Sequence, residues 1–398
     1  MKILVSLPRN HQKFNSIDSV LDGTASCSGT DGAIIRMAGM LSDAGIDVTL
    51  SSAVEIESTK LTCVKHDLVD AGKFDNLVVH QSHWNGNELT FGNQSLSKTF
   101  LWLQNRTSWS FVSSFLNKGG NRIICPSISH ANVYRAVPQW ARKVNVVYNS
   151  YCPAFKPTLE QQVSILLFVG AVTPSKGFVE LMQVWSHLVQ QEVNLQLAVA
   201  GSLSLHQGSK FQQGSLGVAS SEFENNYIQP WLKTLPEKYQ PDFLGALSPE
   251  SLQKAIGKSW AVIVNPSWNK SIVETFCVAA VDAQACDRTV FSLAEGGLKE
   301  TVYRGKFKSL ANEQYTEALS KLIINGLAHN ELVLENGKLA GEFVRNKFGT
   351  EAICKSWIAL LSGQQTEPVL PKNWESTRDF WCDILRSSGT SRLISQYR

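Results

Sequence analysis

What most restricts the folds open to this chain is an alternation that runs through it twice. Short apolar runs, each the length of a buried strand, take turns with stretches whose apolar residues recur at helical spacing. In the first half the runs are KILVSL (2–7), DVTLSSA (47–53), NLVVHQ (76–81), FLWLQ (100–104) and RIICPS (122–127). Between the first two lies DGAIIRMAGMLSDAG (31–45), a helical pattern closed by glycine. The series restarts with VSILLFVG (163–170), the helical FVELMQVWSHLVQ (178–190) and NLQLAVAG (194–201). PDFLGAL (241–247), SWAVIVNP (259–266) and RTVFSLAEGG (288–297) follow. Strands alternating with helices build parallel, doubly wound sheets. The fold class is therefore read as α/β, with two Rossmann-like domains over 1–155 and 156–369. The seam falls at NSYCPAFKPTLEQQ (149–162), where turn-forming and polar clusters interrupt the periodicity.

A length of 398 residues is ample for two such cores. The 37 basic and 34 acidic side chains nearly cancel, so the electrostatic footprint of a nucleic-acid binder is missing. The small excess lies mostly in residues 1–155 and reads as ordinary solvated charge, with peripheral contact to an anionic membrane left open. Eight cysteines form no CxxC pair and no regular spacing, the usage of free thiols in a reducing compartment. The opening MKILVSLPRN has too short an apolar run for a signal peptide, and no run of about 18 apolar residues is available to span a membrane. A cytoplasmic protein without a transmembrane segment is expected. GSLSLHQGSKFQQGSLGVASS (201–221) has no period and reads as a lid or a solvated insertion. WESTRDFWCDILRSS (374–388) resumes helical spacing.

In open α/β sheets, ligands bind beyond the carboxyl ends of the strands, so the residues just after each run carry the functional reading. In FVGAVTPSKGF (168–178), Gly170 ends a strand, and Lys176 and Gly177 open a helix. Backbone N–H groups and an ammonium suit a phosphate or diphosphate there. An ordinary turn with a solvent-facing lysine also fits, since neither P-loop nor GxGxxG spacing is present. In NPSWNKSIVETFCVAAVDAQA (265–285), Glu274 is expected in the first turn of a helix. Ser271 and Glu274 fit a capping box, which gives the acid a structural role. Alternatively Glu274 and Asp282, roughly 12 Å apart along a helix axis, grip two parts of one elongated ligand. In SCSGTDGAIIRMA (26–38), Gly29, Thr30 and Asp31 form a loop ahead of the first helix, either a capped helix start or one side of a site. His80 and His83 in HQSHW stand at a strand end without the further ligands a metal needs. No D-x-D pattern marks a metal-held nucleotide sugar.

Taken together, SGTD (28–31), FVGA (168–171), SKG (175–177), ETFCVAAVD (274–282) and GGLKE (296–300) resemble the motif series of the family 4 glycosyltransferases of the GT-B fold. NVVYNSYCPAF (145–155) is similar to the family's entry to its second domain, and the resemblance extends over roughly 300 residues. It implies two Rossmann-like domains facing across a cleft and a retaining transfer of sugar from an NDP-sugar. The donor would bind mainly to the C-terminal domain and the acceptor mainly to the N-terminal one. The NDP-sugar would be a co-substrate, with no cofactor and no metal. The resemblance further implies that Glu274 orients the donor sugar and that the N–H groups of Thr275, Phe276 and Cys277 contact sugar or diphosphate. Asp282 would contact the ribose, and Lys176 would neutralise the diphosphate. Gly170 would lie on the donor side, and the strand end before Gly245 would line the base pocket. Gly29, Thr30, Asp31, His83 and Gln104 would face the acceptor. A tail helix (370–398) would cross back to the first domain.

The chain departs from the family pattern in several places. Ala171 stands where the family has arginine, Asp282 where it has a second glutamate and Cys277 where it has glycine. The lengthened WNKSIV brings in Lys270, which is expected to supply the charge lost at Ala171. Gln104 stands near a position where many members carry histidine. The expected partners are an NDP-sugar and a glycan, lipid-linked or small-molecule acceptor. Two other readings share the fold: a non-catalytic nucleotide-sugar-binding subunit, to which Ala171 and Asp282 point, and a GT-B epimerase acting on the NDP-sugar itself.

Overall fold

The computed structural model describes residues 1–14, 16–137, 139–158, 164–201, 212–268, 273–312 and 316–364. The chain divides into two compact units. The first comprises Met1–Leu21, Gly29–Ser150 and the chain from Thr350 on; the second comprises Asp22–Ser28 and Tyr151–Gly349.

The first unit is built on a seven-stranded sheet of β1 (Lys2–Ser6), β2 (Asp47–Ser52), β3 (Thr62–Lys65), β4 (Asn76–His80), β5 (Thr99–Trp102), β6 (Arg122–Cys125) and β7 (Val144–Val146). Every pairing is parallel, and the order is β3-β2-β1-β4-β5-β6-β7. β1 is an interior strand, with Ile3, Leu4 and Val5 inaccessible to solvent, as a strand covered on both faces requires. The helix Gly29–Asp43 is buried continuously from Asp31 to Leu41. The last described helix, Thr350–Leu361, also belongs here. Its Trp357 meets Trp102 edge to face, with ring centroids 4.9 Å apart.

The second unit holds a six-stranded sheet of β8 (Ile165–Val169), β9 (Gln196–Ala200), β10 (Asp242–Gly245), β11 (Ala261–Ile263), β12 (Val290–Leu293) and β13 (Leu310–Ala311). It too is parallel throughout, in the order β10-β9-β8-β11-β12-β13. The helix Phe178–Gln190 turns Phe178, Leu181, Met182, Val184, Trp185 and Leu188 inward, the spacing of an amphipathic helix packed on a sheet. Counted from its own first strand, each sheet begins 3-2-1-4-5-6, the doubly wound order. Strand order reverses between β1 and β4 in one unit and between β8 and β11 in the other.

β3, β7 and β13 correspond to none of the apolar runs. All three are edge strands, and an edge strand is covered less fully, so its sequence need not be continuously apolar. The boundary between units falls at Ser150 and Tyr151. The chain rejoins the first unit at Thr350 rather than near 370, so 350–364 do not belong to the second domain as expected. The tail helix 370–398 lies outside the described residues. Residues 202–211 do too; 212–220 lack regular secondary structure, as expected, but are not merely solvated, since Val218 and Ala219 are buried. The fully buried Glu224 carboxylate accepts the N–H groups of Leu216, Val218 and Ala219 at 2.7, 3.0 and 2.9 Å and shapes that segment.

Candidate functional site

Beyond the carboxyl ends of β8 and β11 the second unit brings several loops together. After β8 the chain passes Gly170, whose N–H donates to the Ala200 carbonyl at 3.1 Å. It then makes the short turn Pro174–Lys176, closed by Gly177 at φ 75°. A Cβ at Gly177 would run into the backbone of Pro266 and Ser267, so the loop after β8 rests directly on the loop after β11. Gly296 and Gly297, which follow β12, lie against the carbonyls of Glu274 and Thr275, leaving no space for a side chain. The Gly297 N–H donates to the Glu274 carbonyl at 2.8 Å.

These backbone contacts present the Glu274 side chain, of which only 10% is exposed. Its Oε2 accepts from Lys176 Nζ at 2.9 Å and from Asn265 Nδ2 at 2.9 Å. Its Oε1 accepts from the Phe276 N–H at 3.4 Å. The carboxylate raises the pKa of Lys176, outweighing the opposite effect of burial. The lysine remains 41% exposed.

Glu274 does not stand in the first turn of a helix. The helix here is Val278–Ala285 with Cys277 at its N-cap, so Glu274 precedes it, and the capping-box reading is corrected. Ser271 offered the only conventional start signal, and it lies outside the described residues, as does Lys270. Thr275, Phe276 and Cys277 are buried. Burial, reinforced by the nearby Glu274 charge, pushes the Cys277 thiol up to about 12. Asp282 is in the helix and 8% exposed, and its Oδ1 accepts from the Cys152 N–H at 3.3 Å. The expected axial spacing of Glu274 and Asp282 presumed a common helix that the chain does not form. Gly245 ends β10 at φ 67° with open space where a Cβ would stand.

Two neighbours were not anticipated. Asn265, immediately after β11, has φ 36° and is 8% exposed. The available signal was its identity, since asparagine enters the left-handed region more readily than other residues with a Cβ. Glu180, in the first turn of Phe178–Gln190, accepts from Ser267 Oγ at 3.5 Å, and burial raises its pKa. It ties that helix to the loop carrying Asn265.

The first unit has its own switch point between β1 and β4. His83 Nε2 donates to the Leu7 carbonyl at 2.7 Å and joins the two strand ends. Its ring lies 4.6 Å from that of His66 and 4.9 Å from that of Phe91. Burial, assisted by neighbouring histidines, holds His66 down to about 3 and His83 to about 4, and burial alone holds His80 to about 4. Among the described residues no group of His, Cys, Asp or Glu is placed to hold a metal ion. Gly29, Thr30 and Asp31 form the first turn of Gly29–Asp43 rather than a loop before it. Asp31 is 3% exposed and accepts from the Gln12 N–H at 3.1 Å, which fixes the segment after β1. Gln104 and Asn149, both buried, exchange amide hydrogen bonds at 3.2 and 3.0 Å.

Solved structures share this architecture. Sucrose-phosphate synthase from Thermosynechococcus elongatus superposes with a TM-score of 0.68 at 16% identity, over 91% of this chain and 98% of that one. Anabaena HepE in complex with UDP-glucose does so with a TM-score of 0.64 at 12% identity, over 91% and 100%. The fold is GT-B, as in these structures. Residues 154–340, most of the second unit, match the family described as Glycosyl transferases group 1. A curated relative, the lipopolysaccharide 1,2-N-acetylglucosaminetransferase of Salmonella typhimurium, is 28% identical over 178 residues. That match spans 42% of this chain and 42% of the relative, less than half of either. Among the described residues no helix is long and apolar enough to cross a membrane.

Proposed function

We propose that this chain is a retaining glycosyltransferase that moves a sugar from an NDP-sugar to a glycan, lipid-linked or small-molecule acceptor. The observation that carries the reading is the Lys176–Glu274 pair, 2.9 Å apart beside the switch point of a group 1 glycosyltransferase domain. During transfer the anomeric carbon gains positive charge while the diphosphate departs with negative charge. A carboxylate and an ammonium side by side offer one charge to each, and such preorganised electrostatics stabilise a transition state strongly. Glu274 would orient the sugar and Lys176 would neutralise the diphosphate. The N–H groups of Thr275, Phe276 and Cys277 would add donors at the start of Val278–Ala285, with Gly170 and Gly245 along the donor. The acceptor hydroxyl attacks on the face from which the diphosphate leaves, its proton passes to the departing phosphate oxygen, and configuration is retained. No enzymic nucleophile and no metal enters this scheme; positioning does the rest.

The ribose contact proposed for Asp282 has to coexist with its bond to the Cys152 N–H. On the acceptor side, Gly29, Thr30, Asp31 and His83 are the proposed contacts. Gln104 is assigned to fastening Asn149 rather than to acid–base chemistry. UDP-N-acetylglucosamine and UDP-glucose are the first donors to try, because a relative is named for N-acetylglucosamine transfer and a structure of like fold holds UDP-glucose. Incubation with each donor, with and without acceptor sugars, tests the reading. Release of NDP with transfer supports it. An isomerised sugar would replace it with the epimerase, and binding without change would replace it with a non-catalytic subunit.

A further inference from the structure

We propose that Asn265 is the positioning residue of the donor site, setting Glu274 through Nδ2 and keeping Oδ1 for a hydroxyl of the donor sugar. The inference rests on the transfer reading and assigns a residue that reading does not use. The first observation is the backbone. Asn265 leaves β11 at φ 36°, where a side chain is disfavoured. The following Pro266 further restricts the residue before it. Ser292 Oγ donates to the carbonyls of Val264 at 2.7 Å and Asn265 at 3.4 Å and holds this conformation. Glycine would suit such a position better, so the retained side chain points to a role that offsets the strain.

The second observation is the direction of the carboxamide. A carboxylate only accepts, so the NH₂ end of Asn265 must be the end that faces Glu274. It meets Oε2, the oxygen also held by Lys176, at 2.9 Å. That leaves Oδ1 on the other side, buried and without a partner among the described residues. A buried carbonyl oxygen without a hydrogen bond is costly, and the missing partner must be a donor. The carboxylate of Glu274 and Oδ1 of Asn265 both accept. An ionised phosphate offers neither a proton, whereas sugar hydroxyls donate. The assignment is therefore to the hexose part of the donor, not to its diphosphate.

Asn265→Gly in the full chain separates the side chain from the backbone, because glycine adopts φ 36° without strain. The donors are UDP-glucose, UDP-N-acetylglucosamine and GDP-mannose, with NDP release as the readout and UDP binding measured alongside. The expected result is a melting temperature at or above that of the parent, UDP affinity within about twofold, and kcat lower by about 30-fold. Asn265→Asp places a second carboxyl beside Glu274, so the acid limb of the pH–rate profile should move upward. A kcat for Asn265→Gly within about twofold of the parent would overturn the assignment, as would a loss of UDP affinity equal to the loss of kcat. If the parent chain turns over none of the three donors, the transfer reading itself falls and Asn265 loses its assignment with it. If the parent is active and Asn265→Gly matches it, only Asn265 is reassigned.

Discussion

Glu274 accepts three hydrogen bonds, two of them on one oxygen, and one of its donors is a full cation. Glu274→Ala is expected to lower NDP-sugar turnover by at least about 100-fold while the chain stays folded, since in the proposed transfer the lost group faces a charge that develops in the transition state. Lys176→Ala should weaken UDP binding about tenfold, read by titration calorimetry, because a point charge on the diphosphate is removed. The histidines of the first unit make a separate prediction. His80 and His83 have folded pKa values near 4, below the ordinary 6.5. The unfolded chain therefore takes up protons first. Stability from the neutral rings is present above about pH 6.5 and is lost as pH falls toward 4. For the buried His83 this amounts to about 2 kcal/mol by pH 5. Urea unfolding at pH 7.5 and pH 5.0 should show the loss, and His83→Gln should shrink the difference.

Among the elements, the loops around Glu274 are held backbone against backbone, which explains where glycine is indispensable. A side chain at Gly297 would strike the Thr275 carbonyl and the Phe276 nitrogen. Gly297→Ala is therefore expected to displace the segment carrying Glu274 and to weaken UDP-sugar binding at least about tenfold, with a lower melting temperature. The GGLKE and SKG motifs were legible in the sequence; that they lie against Glu274–Thr275 and Pro266–Ser267 was not, because close approach leaves no periodicity. The same reasoning separates the strands that were readable from those that were not. β1, β4, β5, β8 and β12 are interior strands and advertise themselves as apolar runs, whereas TCVK and VNV are short edge strands. The sequence marks Glu274 as a site candidate but points to a helix there, because Ser271 fits a cap and Cys277, the N-cap of Val278–Ala285, belongs to no capping class. The role of Asn265 is not legible in the sequence, because a positive φ and an oxygen without a partner among the described residues exist only in the folded chain.

Across the whole molecule, the two units are not two successive halves of the sequence. Asp22–Ser28 belongs to the second unit, and the chain from Thr350 returns to the first. The two Rossmann-like domains were legible from alternation, but this exchange of segments was not, since it depends on which core receives an amphipathic helix. Trp357 is fully buried against Trp102, so Trp357→Ala should cost about 3–5 kcal/mol in the unfolding of the first unit. UDP affinity, which the account assigns to the second unit, should stay within about twofold if the chain is still folded at the temperature of measurement. The central claim is that the Lys176–Glu274 pair serves transfer from an NDP-sugar. The measurement that tests it most directly is NDP release from UDP-N-acetylglucosamine and UDP-glucose by the parent chain and by Glu274→Gln, side by side at equal folded fraction. Release by the parent and a rate at least about 100-fold lower in the variant are expected. Equal rates in the two, or no release by the parent from either donor in the presence of acceptor sugars, would contradict it.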